Sequence, residues 1–456
     1  MAYKSTNPFT GKIEKTFDEL SPALLEEKLQ RADNCFKTDW RHRSFANRVV
    51  VLKRAAALIR ERSQPLAELI TREMGKLIAQ SLGEVSLSAS IIDYYADHAE
   101  QFLVPEKLAT AKGEAMVESS PIGVLFGVEP WNYPYYQIAR FAAPNLMAGN
   151  VVMLKHASSV PQCALAFEQL LHDAGAPEGA YTNLFASKEQ VAQVIEDPRI
   201  RAVALTGSEA AGAIVAALAG KHLKKSTLEL GGSDAFIVLE DADLDKALKH
   251  AISGRMGNAG QACTASKRFI VAEALASSFL EKFQVALGQF VPGDPMDTAT
   301  TLAPLSSAQA LENLLKQVDS AVKHGARVVM GGKRINGLAG NFMQPTILTD
   351  ISADNPAFKE EFFGPVALFF RVSSEAAAVA LANDSPFGLG GSVFTQDIER
   401  GKRVARSIDT GMMFINSAAV SSPELPFGGV KNSGYGRELS GAGIQEFVNK
   451  KLIRIS

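Results

Sequence analysis

The sequence predicts an α/β protein made of two parallel-sheet units in tandem, and three observations predict it. Short β-type runs alternate with amphipathic helical segments, a pattern that places helices on both faces of a parallel sheet. The runs form two series that meet near Gly231 and Gly232. At 456 residues the chain is also too long for one ordinary core.

The elements follow in order. From Arg48 to about Leu103 the apolar spacing is helical: Leu52, Ala55, Ala56 and Ile59 recur at i, i+3, i+4 and i+7, and Leu66, Leu69 and Ile70 resume the pattern after Pro65. The stretch 104–120 is polar with a Lys112-Gly113 turn and reads as a hairpin leaving the body. Strands are predicted at 122–128, 150–155, 201–206 and 226–230, then in the second series at 235–239, 268–271, 326–330 and 367–372. The final "KKLIRIS" alternates like a strand. A lone hairpin and a lone terminal strand are marginal by themselves, so pairing with another copy of the chain is expected, as a homodimer or homotetramer.

Composition narrows the function. A formal net charge of −2 without a basic cluster argues against nucleic acid or an anionic membrane as partner and favours a small molecule. The longest small-apolar run, at 210–220, is far short of the roughly 20 residues a membrane span needs. Cys35, Cys163 and Cys263 are odd in number and widely spaced, which fits a reducing compartment. The first residues lack the apolar core of a signal peptide, so a cytoplasmic location is expected.

Four stretches can carry chemistry. In "GNAGQACTAS", Cys263 stands among small residues that leave room for a ligand, whereas a structural cysteine usually sits on an apolar packing face. In "TLELGGSDAF", Glu229 ends a strand before two glycines; it is either solvent-facing or, if enclosed, a general base with a raised pKa. In "PWNYP", Asn132 is either the cap of the next helix or a preset oxyanion donor. "TGSEAAG" follows a strand and opens a helix, so its amides can receive a pyrophosphate, although its spacing is not GxGxxG. None of the seven histidines has metal-type spacing with cysteine, so no metal is expected.

Together with "GNVVMLKHAS", "EEFFGPV" and "PFGGVKNSGYGRE", these pieces in this order resemble the aldehyde dehydrogenase superfamily over nearly the whole chain. The resemblance implies an aldehyde dehydrogenase-like fold: a Rossmann-type dinucleotide-binding domain (1–103 and 121–230), an α/β catalytic domain (231–430) and a small β oligomerisation arm (104–120 and 440–456). It implies Cys263 as nucleophile, Asn132 and the Cys263 amide as oxyanion donors, and Glu229 as the base for thioester hydrolysis. It further implies a cofactor wall of Trp131, Lys155, Ser158, Gly207, Ser208, Gly231, Glu361 and Phe363.

Two departures bear on specificity. Three residues after the lysine, NAD-preferring members often carry Glu, and here the position is Ser158. A carboxylate roughly 4 Å from a 2′-phosphate charge costs up to about 4 kcal/mol at an effective dielectric near 20, a cost Ser158 avoids. NADP is therefore the expected cofactor, with NAD possible. Arg140 stands where the succinate-semialdehyde dehydrogenase branch has arginine, and Ser421 or Ser422 resembles a second carboxylate contact. A guanidinium facing the substrate funnel would grip a carboxylate bidentately. Succinate semialdehyde is the expected substrate; glutarate semialdehyde, aliphatic aldehydes and a coenzyme A-dependent acylating reaction are the alternatives.

Overall fold

The computed structural model describes residues 3–456. The first sheet has six strands in the order Gly434–Tyr435, Lys225–Glu229, Ile200–Thr206, Val124–Glu129, Val151–His156, Tyr181–Asn183. All pairs are parallel except the Gly434–Tyr435 edge. Val124–Glu129 lies at the centre, and crossovers leave it in both directions. The carboxyl ends of Val124–Glu129, Val151–His156 and Ile200–Thr206 therefore open a crevice at a topological switch point, where α/β sheets bind ligands.

The second sheet has seven strands in the order Arg327–Met330, Thr346–Thr349, Val366–Val372, Ser266–Ala272, Asp234–Val238, Gly391–Phe394, Phe414–Ile415. Only Arg327–Met330 is antiparallel. The four strands expected in this half are present, and Thr346–Thr349, Gly391–Phe394 and Phe414–Ile415 join them. These three are four residues or fewer and lack an alternating run long enough to stand out.

The helical stretch expected from 48 to 103 resolves into Phe45–Glu61, Ser63–Met74 and Ile78–Phe102. Gly75, in the left-handed region at φ 82°, ends the second of them, as helix C-termini favour. A third sheet stands apart: Val448–Ile455 pairs along Glu114–Pro121, which pairs with Glu106–Leu108, all antiparallel. The terminal strand thus starts at Val448; residues 440–444 form a short helix that packs back on the body, its Ser440 carbonyl accepting from the Tyr95 hydroxyl (2.9 Å).

Candidate active site

Cys263 follows the helix Leu244–Met256 and a tight turn over Gly257–Gly260. Asn258 and Ala259 take left-handed backbone at φ 54° and 52°, and Gly260 continues at 76°. A side chain at Gly260 would place its Cβ 2.3 Å from the Gly364 carbonyl, so only glycine fits. Two enclosed cations hold this loop. The Arg255 guanidinium donates to the carbonyls of Gly260 (2.7 Å) and Ser266 (3.0 Å). The Lys267 ammonium donates to the carbonyls of Ala262 (2.9 Å) and Cys263 (2.6 Å) and pairs with Glu361 at 2.9 Å. Carbonyl dipoles and one carboxylate offset the cost of burying these charges.

Asn132 arrives from the other half, at the end of the Val124–Glu129 strand. Its Nδ2 donates to the Gln261 carbonyl (3.0 Å), and its side chain also shares a hydrogen bond of 2.8 Å with the Gln137 amide. The Asn132 carbonyl accepts from Lys76 Nζ (2.9 Å) and Asn258 Nδ2 (3.1 Å). Asn132 does not cap the helix Pro134–Ala148. That task falls to Glu84, whose Oε1 accepts from the amides of Tyr135 (2.9 Å) and Tyr136 (3.3 Å), while its other oxygen pairs with Lys76. Asn132 Nδ2, with two protons and one protein acceptor, keeps a donor for a ligand.

Glu229 ends its strand buried, with neither carboxylate oxygen hydrogen-bonded among the described residues. Burial, and then the nearby Glu438 carboxylate, push its pKa well above the usual range. The enclosed reading of Glu229 therefore holds over the solvent-facing one. Glu229, Asn132, Cys263, Trp131, Gly207, Ser208, Gly231, Glu361 and Phe363 line one cavity of about 280 Å³. Burial lifts the Cys263 thiol to about 12; the positive charges of Arg140 and Lys267 act against the shift, and Glu361 and Glu229 add to it.

Lys155 lies near the end of the neighbouring strand Val151–His156 and Ser158 just after it, both outside this cavity. Lys155 is half-buried and its Nζ donates to the His156 carbonyl (3.2 Å), whereas Ser158 is exposed. Ser208 caps the helix Glu209–Lys221, accepting from the Ala211 amide at 3.3 Å. Ser421 and Ser422 line a second cavity of about 300 Å³ together with Met412, Phe414 and Phe427.

Arg140 requires a correction. It lines neither cavity and is not the free guanidinium expected in a substrate funnel. It is buried and ion-paired with Glu438, with Nη2 donating to Thr206 Oγ1 (3.1 Å) and Nη1 to the Tyr136 hydroxyl (3.4 Å). Helix Pro134–Ala148 is buried along its whole length, so Arg140 meets a carboxylate of its own chain. The Tyr136 hydroxyl in turn meets Ser421 Oγ at 3.1 Å.

The sequence model described as the aldehyde dehydrogenase family matches residues 1–453. The chain belongs to that family. A relative from Deinococcus radiodurans named succinate-semialdehyde dehydrogenase (NADP+) is 52% identical over 452 residues, which cover 99% of this chain and 94% of the relative. A Synechocystis protein named probable succinate-semialdehyde dehydrogenase (NADP+) is 45% identical over the full length of both. Among solved structures, succinic semialdehyde dehydrogenase from Streptococcus pyogenes in complex with NADP+ superposes with TM-score 0.98 at 49% identity, and Gox0499 with TM-score 0.99 at 55%, each covering 100% of both chains.

Several residues that build this aldehyde dehydrogenase site carried no signal in the sequence. Lys76, Glu84, Arg255 and Lys267 read there as ordinary charged positions. Glu438 lay inside a motif without a role, and Gln261 is fixed through contacts with Asn132, Asn258 and Ser306. Buried charge becomes visible only when the distant partner is known.

Proposed function

We propose that this aldehyde dehydrogenase oxidises succinate semialdehyde to succinate with NADP+. One observation carries the reaction: a cysteine, an amide with a spare donor and an unpartnered buried carboxylate open on one cavity. The relatives' names support substrate and cofactor.

The cavity wall suits a dinucleotide. Gly207 and Gly231 let backbone approach closely, and a Cβ at Gly231 would fall 2.5 Å from a Glu361 oxygen. Trp131 and Phe363 set two rings edge to face at 5.8 Å. Trp131, Gly207, Ser208, Gly231, Glu361 and Phe363 would hold the nicotinamide half, and Lys155 and Ser158 the adenosine half. When bound, NADP+ supplies the hydride acceptor.

The chain's own groups do the rest. The Cys263 thiolate adds to the aldehyde carbon, and the oxyanion accepts from Asn132 Nδ2 and the Cys263 amide. Once the adduct is oxidised to a thioester, Glu229 takes a proton from water, whose oxygen attacks the acyl carbon. The C–S bond then breaks, returning thiolate and releasing the acid. Ser421 and Ser422 present hydroxyls to the substrate carboxylate, and the Arg140 charge reaches that side through the Tyr136 hydroxyl.

We assign 1–103 and 121–230 to dinucleotide binding, 231–430 to catalysis, and 104–120 with the terminal strand to a homo-oligomeric contact, as a dimer or tetramer. The thiol chemistry suits the cytoplasm. No helix among the described residues is long and apolar enough to cross a membrane. The decisive experiment is a steady-state panel of succinate semialdehyde, glutarate semialdehyde and butanal, each with NAD+ and NADP+. Succinate semialdehyde with NADP+ should give the highest kcat/KM, and an equal or higher value for butanal would overturn the substrate assignment.

A further inference from the structure

Lys267 takes no part in the chemistry above, yet it is among the most completely enclosed charges in the molecule. Its ammonium has three protons and three acceptors: the Ala262 and Cys263 carbonyls and Glu361 Oε1. The two ends of the ion pair differ in freedom. The Lys267 side chain is 0% exposed, whereas Glu361 is 18% exposed and forms part of the cavity wall. Glu361 Oε1 also accepts from the Gly232 amide at 3.1 Å. A ligand hydroxyl entering the cavity can therefore compete for the carboxylate, and the lysine cannot follow it.

We propose that Lys267 is a positioning residue that links Glu361 to Cys263, so that ribose hydroxyls engaging the carboxylate are sensed at the nucleophile. This rests on the reading that Glu361 meets the nicotinamide ribose. Hydroxyl donors on Glu361 draw its negative charge away from Lys267. The ammonium then acts on the Cys263 carbonyl and thiol with less compensation, and the thiolate is favoured. The direction agrees with the charges around the sulfur, where Lys267 stabilises thiolate and Glu361 opposes it.

The test uses 2′-phospho-ADP-ribose, which carries the ribose hydroxyls without the charged nicotinamide ring. Its binding is followed by calorimetry, and Cys263 reactivity by iodoacetamide alkylation as a function of pH. In the wild type, saturating ligand should speed alkylation at pH 7.5 about tenfold, equivalent to roughly one unit in the thiol pKa. Lys267→Met should alkylate more slowly than wild type and lose most of the ligand response, with Lys267→Arg restoring part of it. Glu361→Gln should react faster than wild type without any ligand. The link is overturned if Lys267→Met and Glu361→Gln both match wild type without ligand, or if Lys267→Met responds to bound ligand as wild type does. Should the ligand not bind the wild type at all, the cofactor reading fails instead, and the two ligand-free comparisons still decide the link.

Discussion

Cys263, the proposed nucleophile, is kept protonated by its own burial. With the thiol at about 12 in the free chain, the thiolate fraction rises tenfold per pH unit across the ordinary range. Iodoacetamide alkylation of the unliganded protein should therefore climb about tenfold per unit from pH 7 to pH 10; a plateau near pH 8 would show that burial does not hold the proton. Ser158 makes a second prediction at this scale. Ser158→Glu should raise the KM for NADP+ by up to about 1,000-fold and spare NAD+, since a carboxylate beside a 2′-phosphate costs up to about 4 kcal/mol. Equal losses with both cofactors would place the 2′-phosphate elsewhere. Cys263 and Glu229 stood out in the sequence because glycines and small residues beside them announce room for a ligand, and Asn132 because it is an amide at a strand-to-helix junction. Arg140 was misread in its geometry because its partner, Glu438, lies nearly three hundred residues away. Lys76 and Lys267 were missed because a lysine that will be enclosed looks, in sequence, like one on the surface.

Elements were legible where apolar periodicity ran long. Val124–Glu129 and its two parallel neighbours, Val151–His156 and Ile200–Thr206, carry largely continuous apolar runs, as strands covered on both faces must. The short strands of the second sheet draw their stability from neighbours instead. Asp234 shows how such a strand is tied in. It opens Asp234–Val238, and its Oδ1 accepts from the Gly390 amide at 3.1 Å, fixing the segment that leads into Gly391–Phe394. Burial raises its pKa from 3.8 to about 6, with Lys267 the largest opposing influence. A raised carboxylate pKa means the charged form is disfavoured in the fold. The penalty is absent below about pH 4, grows as pH rises through the window to about 6, and is complete above it, on the order of 3 kcal/mol. Asp234→Asn should therefore gain thermal stability over wild type at pH 7 but little at pH 4. The same Tm difference at both would refute this.

At the scale of the molecule, the arm is the feature that its own contacts least explain. Val448–Ile455 pairs on one side only, and Leu452 and Ile455 stay exposed at 60% and 56%. An open edge carrying apolar side chains invites another chain. Leu452→Glu combined with Ile455→Glu should reduce the molar mass measured by light scattering to that of a smaller assembly; an unchanged mass would remove the arm from the interface. The hairpin was readable from its polar composition and Lys112-Gly113 turn, but its pairing with a strand more than three hundred residues later was not.

The crowd of acids around Arg140 has a further consequence. Glu438 pairs with that guanidinium, Glu129 and Glu229 feel its charge from nearby, and burial raises all three carboxyl pKa values. A carboxyl whose pKa is higher in the fold than in the unfolded chain binds protons that unfolding releases, so denaturation hands protons to solvent. The calorimetric heat of unfolding should accordingly depend on the buffer, differing between amine and phosphate solutions at the same pH because their protonation enthalpies differ.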